Sequence, residues 1–287
     1  MNAIPLEDIV ALQAQGRLLV LDDPYPFRPT QRWGHGKPPH ALLERLFRSQ
    51  ALNYVPFLED IASMAPGFQS IAFDAPETSL EPRWNNGWLP ILDAMSIYTA
   101  VAVHAPRRFI EVGSGNSTKF AARAIRDHGL GTRIFSIDPC PRSEIDQLCH
   151  RSLRFSLETL DLSFFKHVTA EDIVFVDCSH RAMQNSDVTV FFLEVLPMLP
   201  PGCRIGIHDI CLPWDYPPGW ERRYYNEQYL LAGILLFGQS AFDILLPSYY
   251  ASITPEILQP LEHLRHIPNL RGQSPVGSIF WMQKARN

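Results

Sequence analysis

Two glycines separated by one residue, in Glu111-Val112-Gly113-Ser114-Gly115-Asn116-Ser117-Thr118, follow directly on the apolar run Arg108–Val112. A strand that ends in such a turn and opens into a helix lets the backbone approach a ligand closely, because a glycine has no Cβ in the way. Asn116 or Ser117 is placed to cap the following helix. Twenty-five residues beyond Gly113, a second apolar run closes on Ile137-Asp138-Pro139. That sets a carboxylate where it could accept hydrogen bonds from both hydroxyls of a ribose. Dinucleotide-binding folds share this pairing, but their third glycine would fall at Thr118, so tight helix packing beneath a pyrophosphate is not specified. Glu111, two residues before the first glycine, suits a ligand carrying an ammonium group more than one carrying phosphates.

Two later runs also close on polar residues. Phe175-Val176 leads into Asp177-Cys178-Ser179-His180, and Arg204–Ile207 into His208-Asp209. If all these runs are strands of one parallel sheet, Asp138, Asp177, His180, His208 and Asp209 share its carboxyl edge, where open α/β sheets bind ligands. Asp177 and Ser179 would also serve as caps of the turn that follows, and His208-Asp209 as partners for backbone groups at a strand end.

The elements that must position these residues are legible as a change of rhythm. From Arg107, short apolar runs alternate with amphipathic stretches, the pattern of βαβ units and a parallel sheet. The predicted strands are Arg108–Val112, Arg133–Ile137, a weak one near Leu153–Phe155, Ile173–Val176, Arg204–Ile207, Phe242–Leu246 and Gly277–Gln283. Helices are predicted over Leu89–His104, Ser117–Asp127 (stopping at Gly129), Asp187–Leu199 and Asn226–Phe237. Before Gly87 the chain is broken by prolines at 5, 24, 26, 29, 38, 39, 56, 66, 76 and 82 and does not read as a sheet. Helices over Leu6–Gln15 and Ala41–Ser63, the second interrupted near Pro56, make this part a helical cap. The expected division is an N-terminal extension, 1–87, and a catalytic domain, 88–287.

With 287 residues and 46% hydrophobic content, the chain can bury one large core or one core with a small appendage. A net charge of −5 with no run of Lys or Arg argues against nucleic acid as a partner. No basic leader followed by an apolar core begins the chain, and no apolar run is long enough to cross a bilayer, so a cytoplasmic protein away from membranes is expected. The five cysteines, odd in number and without paired short spacings, read as free thiols.

The Glu-x-Gly-x-Gly turn, the acidic residue closing the next strand and the late Gly277-Ser-Ile-Phe-Trp281 strand together resemble the class I S-adenosylmethionine-dependent methyltransferases over about Leu89–Gln283. The likeness is to the bacterial small-molecule branch, whose fourth strand ends in Val-Asp-Gly-Ser-His; this chain has Cys178 at the glycine. The resemblance implies a Rossmann-like, doubly wound, mostly parallel seven-stranded sheet with a late antiparallel strand. It also implies that Glu111 orients the methionine amine, Gly113, Ser114 and Gly115 pass beneath the methionine moiety, and Asp138 holds the ribose, with Asn116 and Ser117 completing the S-adenosyl-L-methionine loop.

Methyl transfer from a sulfonium is an in-line displacement, so the protein must align the acceptor and weaken its proton. His180 or His208, with Asp209, would do this as base. Alternatively a divalent cation, magnesium or a transition metal, on Asp177, His208 and Asp209 would lower the acceptor's pKa. The aromatic and proline-rich stretch from Cys211 to Trp220, followed by Arg222–Tyr229, suits a cover for a flat or sugar-like acceptor. Within it, Tyr229 reads as packing and Glu227 as a first-turn carboxylate favoured by the helix dipole. The leading expectation is O-methylation of a small metabolite. A nicotinamide-dependent oxidoreductase on the same glycine turn, and a non-catalytic methyltransferase-like binding protein, are the alternatives. Oligomeric state is left open by the sequence.

Overall fold

A computed structural model describes residues 5–15, 18, 24, 29–142, 144–238 and 241–286. Met1–Ile4 of the leader reading, and Pro26, lie outside the described residues. The chain divides into two compact units, 1–30 and 31–287. The first holds helix α1 (Leu6–Ala14), which buries none of its side chains.

The second unit is built on a seven-stranded sheet. Its strands are β1 (Arg108–Val112), β2 (Arg133–Ile137), β3 (Arg151–Leu153), β4 (Ile173–Val176), β5 (Arg204–Ile207), β6 (Phe242–Pro247) and β7 (Phe280–Lys284). They lie in the order β3-β2-β1-β4-β5-β7-β6, with β7 antiparallel to both its neighbours and the pairings among β1 to β5 parallel. This is the expected Rossmann-like architecture. β4 is buried at every position and β1 and β5 at all but their first residue, as strands covered on both faces require. Phe109, Phe175 and Trp281 stack across β1, β4 and β7 at the centre of the core.

The sheet is covered by α5 (Ile91–His104), buried without a break from Ile91 to Val101, and by α6 (Asn116–Asp127), which packs on it. Ahead of them lie α2 (Ala41–Ser49), α3 (Ala51–Ser63) and the short α4 (Ala65–Gln69), so the helices expected before Gly87 are present, with turns and one isolated bridge, Ala72 to Arg83, between α4 and α5. The interruption in 41–63 falls at Gln50, not at Pro56, which sits inside α3. Proline removes the bond to the carbonyl four residues back, and that residue, Leu52, is exposed, so water can serve the freed oxygen. After β4, α7 (Asp187–Val190) passes through a π turn, Phe191–Val195, into α8 (Leu196–Met198), and α9 (Glu227–Phe237) precedes β6.

Two strands are displaced from expectation. The third strand lies earlier than Leu153–Phe155, and the last begins at Phe280 instead of Gly277. Ser278 and Ile279 donate their backbone N–H groups to the Asp93 carboxylate of α5 at 2.8–2.9 Å, so a side chain takes the place of a neighbouring strand there.

Candidate active site

The strand order reverses between β1 and β4, and the cleft opens where their carboxyl ends part. Its volume is about 290 Å³, and its lining includes Gly113, Ser114, Asp138, Arg142, Leu157 and Asp177. Ligand clefts span roughly 300–1,000 Å³, so this one is near the lower end.

Gly113 stands in left-handed backbone, φ +80°, and a Cβ there would lie 1.8 Å from the Asp177 carbonyl oxygen. Only glycine lets the turn after β1 pass this close to β4. The Ser114 N–H donates to Asp138 Oδ2 at 2.7 Å, and the Cys140 N–H donates to Oδ1 at 2.8 Å. Asp138 therefore ties the glycine turn to the end of β2 and keeps further lone pairs free for a ligand. Asn116 opens α6 and donates to Asn86 Oδ1 at 3.3 Å, while Ser117 faces a small enclosed space with Trp88, Gly115 and Asp177. The Arg142 guanidinium lies 4.7 Å from the centre of the Trp88 ring and lines both spaces.

Glu111 is fully buried beneath the turn. Its Oε2 accepts from the Thr118 hydroxyl, which in turn accepts from the Gly115 N–H at 3.1 Å, and its Oε1 has no partner. Glu111 thus carries the turn from below and is not among the residues lining either space. Burial pushes its carboxyl up to about 8. The proton is then retained by the folded state and lost by the unfolded one, so this group's contribution to stability falls as pH rises from about 4.5 to about 8. Between pH 6 and pH 8 the wild type should lose about 2 kcal/mol more than Glu111→Gln, measured by urea unfolding. Parallel losses in the two proteins would mean that Glu111 ionises normally.

The second cluster lies on the other side of Asp177. Asp177 Oδ1 is 3.1 Å from His180 Nε2 and 3.3 Å from His208 Nδ1. His208 Nε2 meets Asp93 Oδ2 at 3.4 Å, Asp209 stands 3.6 Å from each histidine, and His180 Nδ1 is bonded to Glu227 Oε1. His180 and Asp209, neither a glycine, hold φ of 60° and 56°, the kind of backbone strain found at functional sites. Burial opposes charging the histidines, but the carboxylates overrule it: Glu227 and Asp177 raise His180, and Asp177, Asp209 and Asp93 raise His208, both well above the usual range. Burial would likewise raise Asp177, yet His208 and His180 hold it well below the usual carboxylate range.

Sequence reasoning brought Asp177, His180, His208 and Asp209 to one edge, and the structure places them together there. It missed two partners. Asp93 was legible as the lone acid in an apolar helix, and Glu227 was read as a first-turn carboxylate although it is buried and paired to His180. Tyr229, expected to pack, is 42% exposed and donates to Asp215 Oδ1 at 2.9 Å. All five cysteines are free.

Residues 110–210 match the model of a family described as a methyltransferase domain. Over that stretch, about a third of its length, the chain is similar to that family. The matched stretch runs from β1 to just beyond β5 and contains both the glycine turn and the Asp177–Asp209 cluster. Similar solved structures include the methyltransferase PaMTH1 of Podospora anserina bound to SAH, 13% identical, with 67% of this chain and 78% of that one covered and a TM-score of 0.41. MycE of the mycinamycin biosynthetic pathway, in complex with Mg, SAH and mycinamycin VI, is 18% identical over 65% of this chain and 48% of its own, with a TM-score of 0.36. A Geobacter sulfurreducens methyltransferase is 12% identical over 99% and 100%, with a TM-score of 0.37. No curated protein matches the chain. Among its described residues no helix is long and apolar enough to cross a membrane.

Proposed function

We propose that the enzyme methylates a hydroxyl group of a small-molecule acceptor, phenolic or sugar-like, at the edge where Asp177 joins the cofactor cleft to the histidine–carboxylate cluster. The observation that carries this reading is the position of Asp177: it lines the cleft and also contacts both His180 and His208. When bound, S-adenosylmethionine supplies an electrophilic methyl group on its sulfonium. Gly113, Ser114, Gly115, Asn116 and Ser117 would hold its methionine end over the turn that Glu111 props, and Asp138 its ribose. The division into an extension, 1–87, and a catalytic part, 88–287, is a division of these roles.

The histidines take a different part from the base expected of them. His180 and His208 are buried, and both ring nitrogens of each face carboxylates, so they stand as charged partners that fix Asp177 and Asp209. In this proposal Asp177 accepts a hydrogen bond from a neighbouring hydroxyl of the acceptor and aligns it, and Asp209 takes the proton of the reacting hydroxyl as the methyl group moves to its oxygen. A divalent ion on Asp177, His208 and Asp209 does not fit the donor set as it stands. His208 is occupied at both nitrogens, and among the described residues no group of three His, Cys, Asp or Glu is set to hold a metal.

Two measurements test the proposal. Transfer of a labelled methyl group from S-adenosylmethionine should be detected on one or more members of a panel of phenols and glycosides, and S-adenosylhomocysteine should raise the melting temperature. Stabilisation by NAD alone, with no methyl transfer, would overturn it. Asp138→Ala should weaken S-adenosylhomocysteine binding by roughly 2–4 kcal/mol, because ligand bonds and the two loop ties are lost together. Asp138→Asn, which keeps one carboxamide oxygen as acceptor, should lose less; unchanged calorimetric affinity in both would remove Asp138 from the site.

A further inference from the structure

The last residues of the aromatic cover, 223–226, meet the turn after β4 around His180. The Asn226 N–H donates to the His180 carbonyl at 2.9 Å, Asn226 Oδ1 accepts from the Ala182 N–H at 2.5 Å, and Arg181 Nε donates to the Arg223 carbonyl at 2.8 Å. The Tyr225 ring lies 4.5 Å from the His180 ring, and Glu227, 1% exposed at the start of α9, bonds to His180 Nδ1. The opposite nitrogen of that ring, Nε2, is the one that meets Asp177.

An imidazole is rigid, so a partner that fixes one nitrogen fixes the direction of the other. We propose that Glu227 is a positioning residue: acting through His180, it couples the seating of the 211–226 cover to the aim of Asp177. With the cover docked, Glu227 and Tyr225 hold the ring and Nε2 faces Asp177. With the cover lifted, His180 loses Tyr225 and the Asn226 bond that restrains its left-handed backbone, and Glu227, the residue that follows the cover, is no longer held against Nδ1. The carboxylate that aligns the acceptor is then ordered by the loop that encloses the acceptor. The catalytic meaning of this coupling rests on the methyltransferase reading above, but the coupling itself is a property of the fold.

The test therefore uses no acceptor. In the full-length protein saturated with S-adenosylhomocysteine, hydrogen–deuterium exchange and the ¹⁵N resonances of the His180 ring are compared for wild type, Glu227→Ala and Glu227→Gln. Glu227→Ala should speed amide exchange about tenfold or more in both 177–183 and 211–226, shift the Nε2 resonance, and leave exchange at 113–118 within about twofold. Glu227→Gln, which keeps an acceptor for Nδ1–H, should restore protection in both segments. If Glu227→Ala does not fold, Glu227→Gln together with Asn226→Ala decides: only the latter should open both segments. Faster exchange in 211–226 alone, with Nε2 unmoved, would reduce Glu227 to a helix-start carboxylate and overturn the coupling. Loss of S-adenosylhomocysteine binding by the wild type would instead count against the cofactor reading, since exchange can be followed without ligand.

Discussion

Gly113→Val should leave almost no protein competent to hold the cofactor, and Gly113→Ala should already be severely destabilised. The first methyl carbon added at this position would sit 1.8 Å from the Asp177 carbonyl oxygen and 2.7 Å from its carbonyl carbon. Both obstacles are backbone, so no rotamer change relieves them; β1 and β4 must part at the point where the cleft opens. Adding the left-handed φ to this overpacking gives a cost of about 3–5 kcal/mol for alanine, or a melting temperature lower by roughly 10 °C. The sequence argues for the same mutation because a side chain would strain the turn and block the ligand. The structure gives a different cause: the side chain would strike the neighbouring strand end. A melting temperature within 2 °C of wild type for Gly113→Ala by differential scanning calorimetry, with unchanged S-adenosylhomocysteine affinity, would refute this account of the turn.

The second large effect belongs to the charged cluster. His208 stands between Asp177, Asp209 and Asp93, and its removal leaves these carboxylates facing one another with one cation fewer. Breaking a buried ion pair from one side costs about 3–5 kcal/mol, so His208→Ala should be both unstable and inactive. Asp209→Asn separates chemistry from folding: it keeps the shape of the side chain and should lower methyl transfer by about 10²–10⁴-fold while S-adenosylhomocysteine binds nearly as before. A chelator should leave wild-type turnover unchanged. Turnover that stops on chelation and returns with magnesium would restore the divalent ion to Asp177, His208 and Asp209. Full activity in His180, His208 and Asp209 single variants would leave all three as structural caps.

The contrast between these two regions explains what could be read in advance. The glycine turn and Asp138 follow from backbone requirements that act over a few residues, and the strands from β1 to β5 from uninterrupted apolar runs; both are local and survive in one dimension. The partners of His180 and His208 are not local. Glu227 is 47 residues from His180, and Asp93 is on a helix far upstream of His208; nothing in spacing pairs them. The same holds for the start of β7, where Gly277-Ser278-Ile279 has the composition of a strand but gives its N–H groups to side chains, Gly277 to Ser252 and the other two to Asp93. At Pro56 a local rule failed for a tertiary reason: Leu52, the residue whose carbonyl it frees, is exposed, and α3 continues through it.

The sheet order also constrains how the molecule can be made. β7 is the last strand in sequence, yet it lies between β5 and β6 and pairs with both. Until it has been synthesised, those two strands present unpaired edges, and Phe280, Trp281 and Met282 are missing from the core they complete. A chain emerging from the ribosome therefore passes through an open five-stranded parallel sheet with the β5 edge unpaired, the kind of species that chaperones bind and that aggregates when they are scarce.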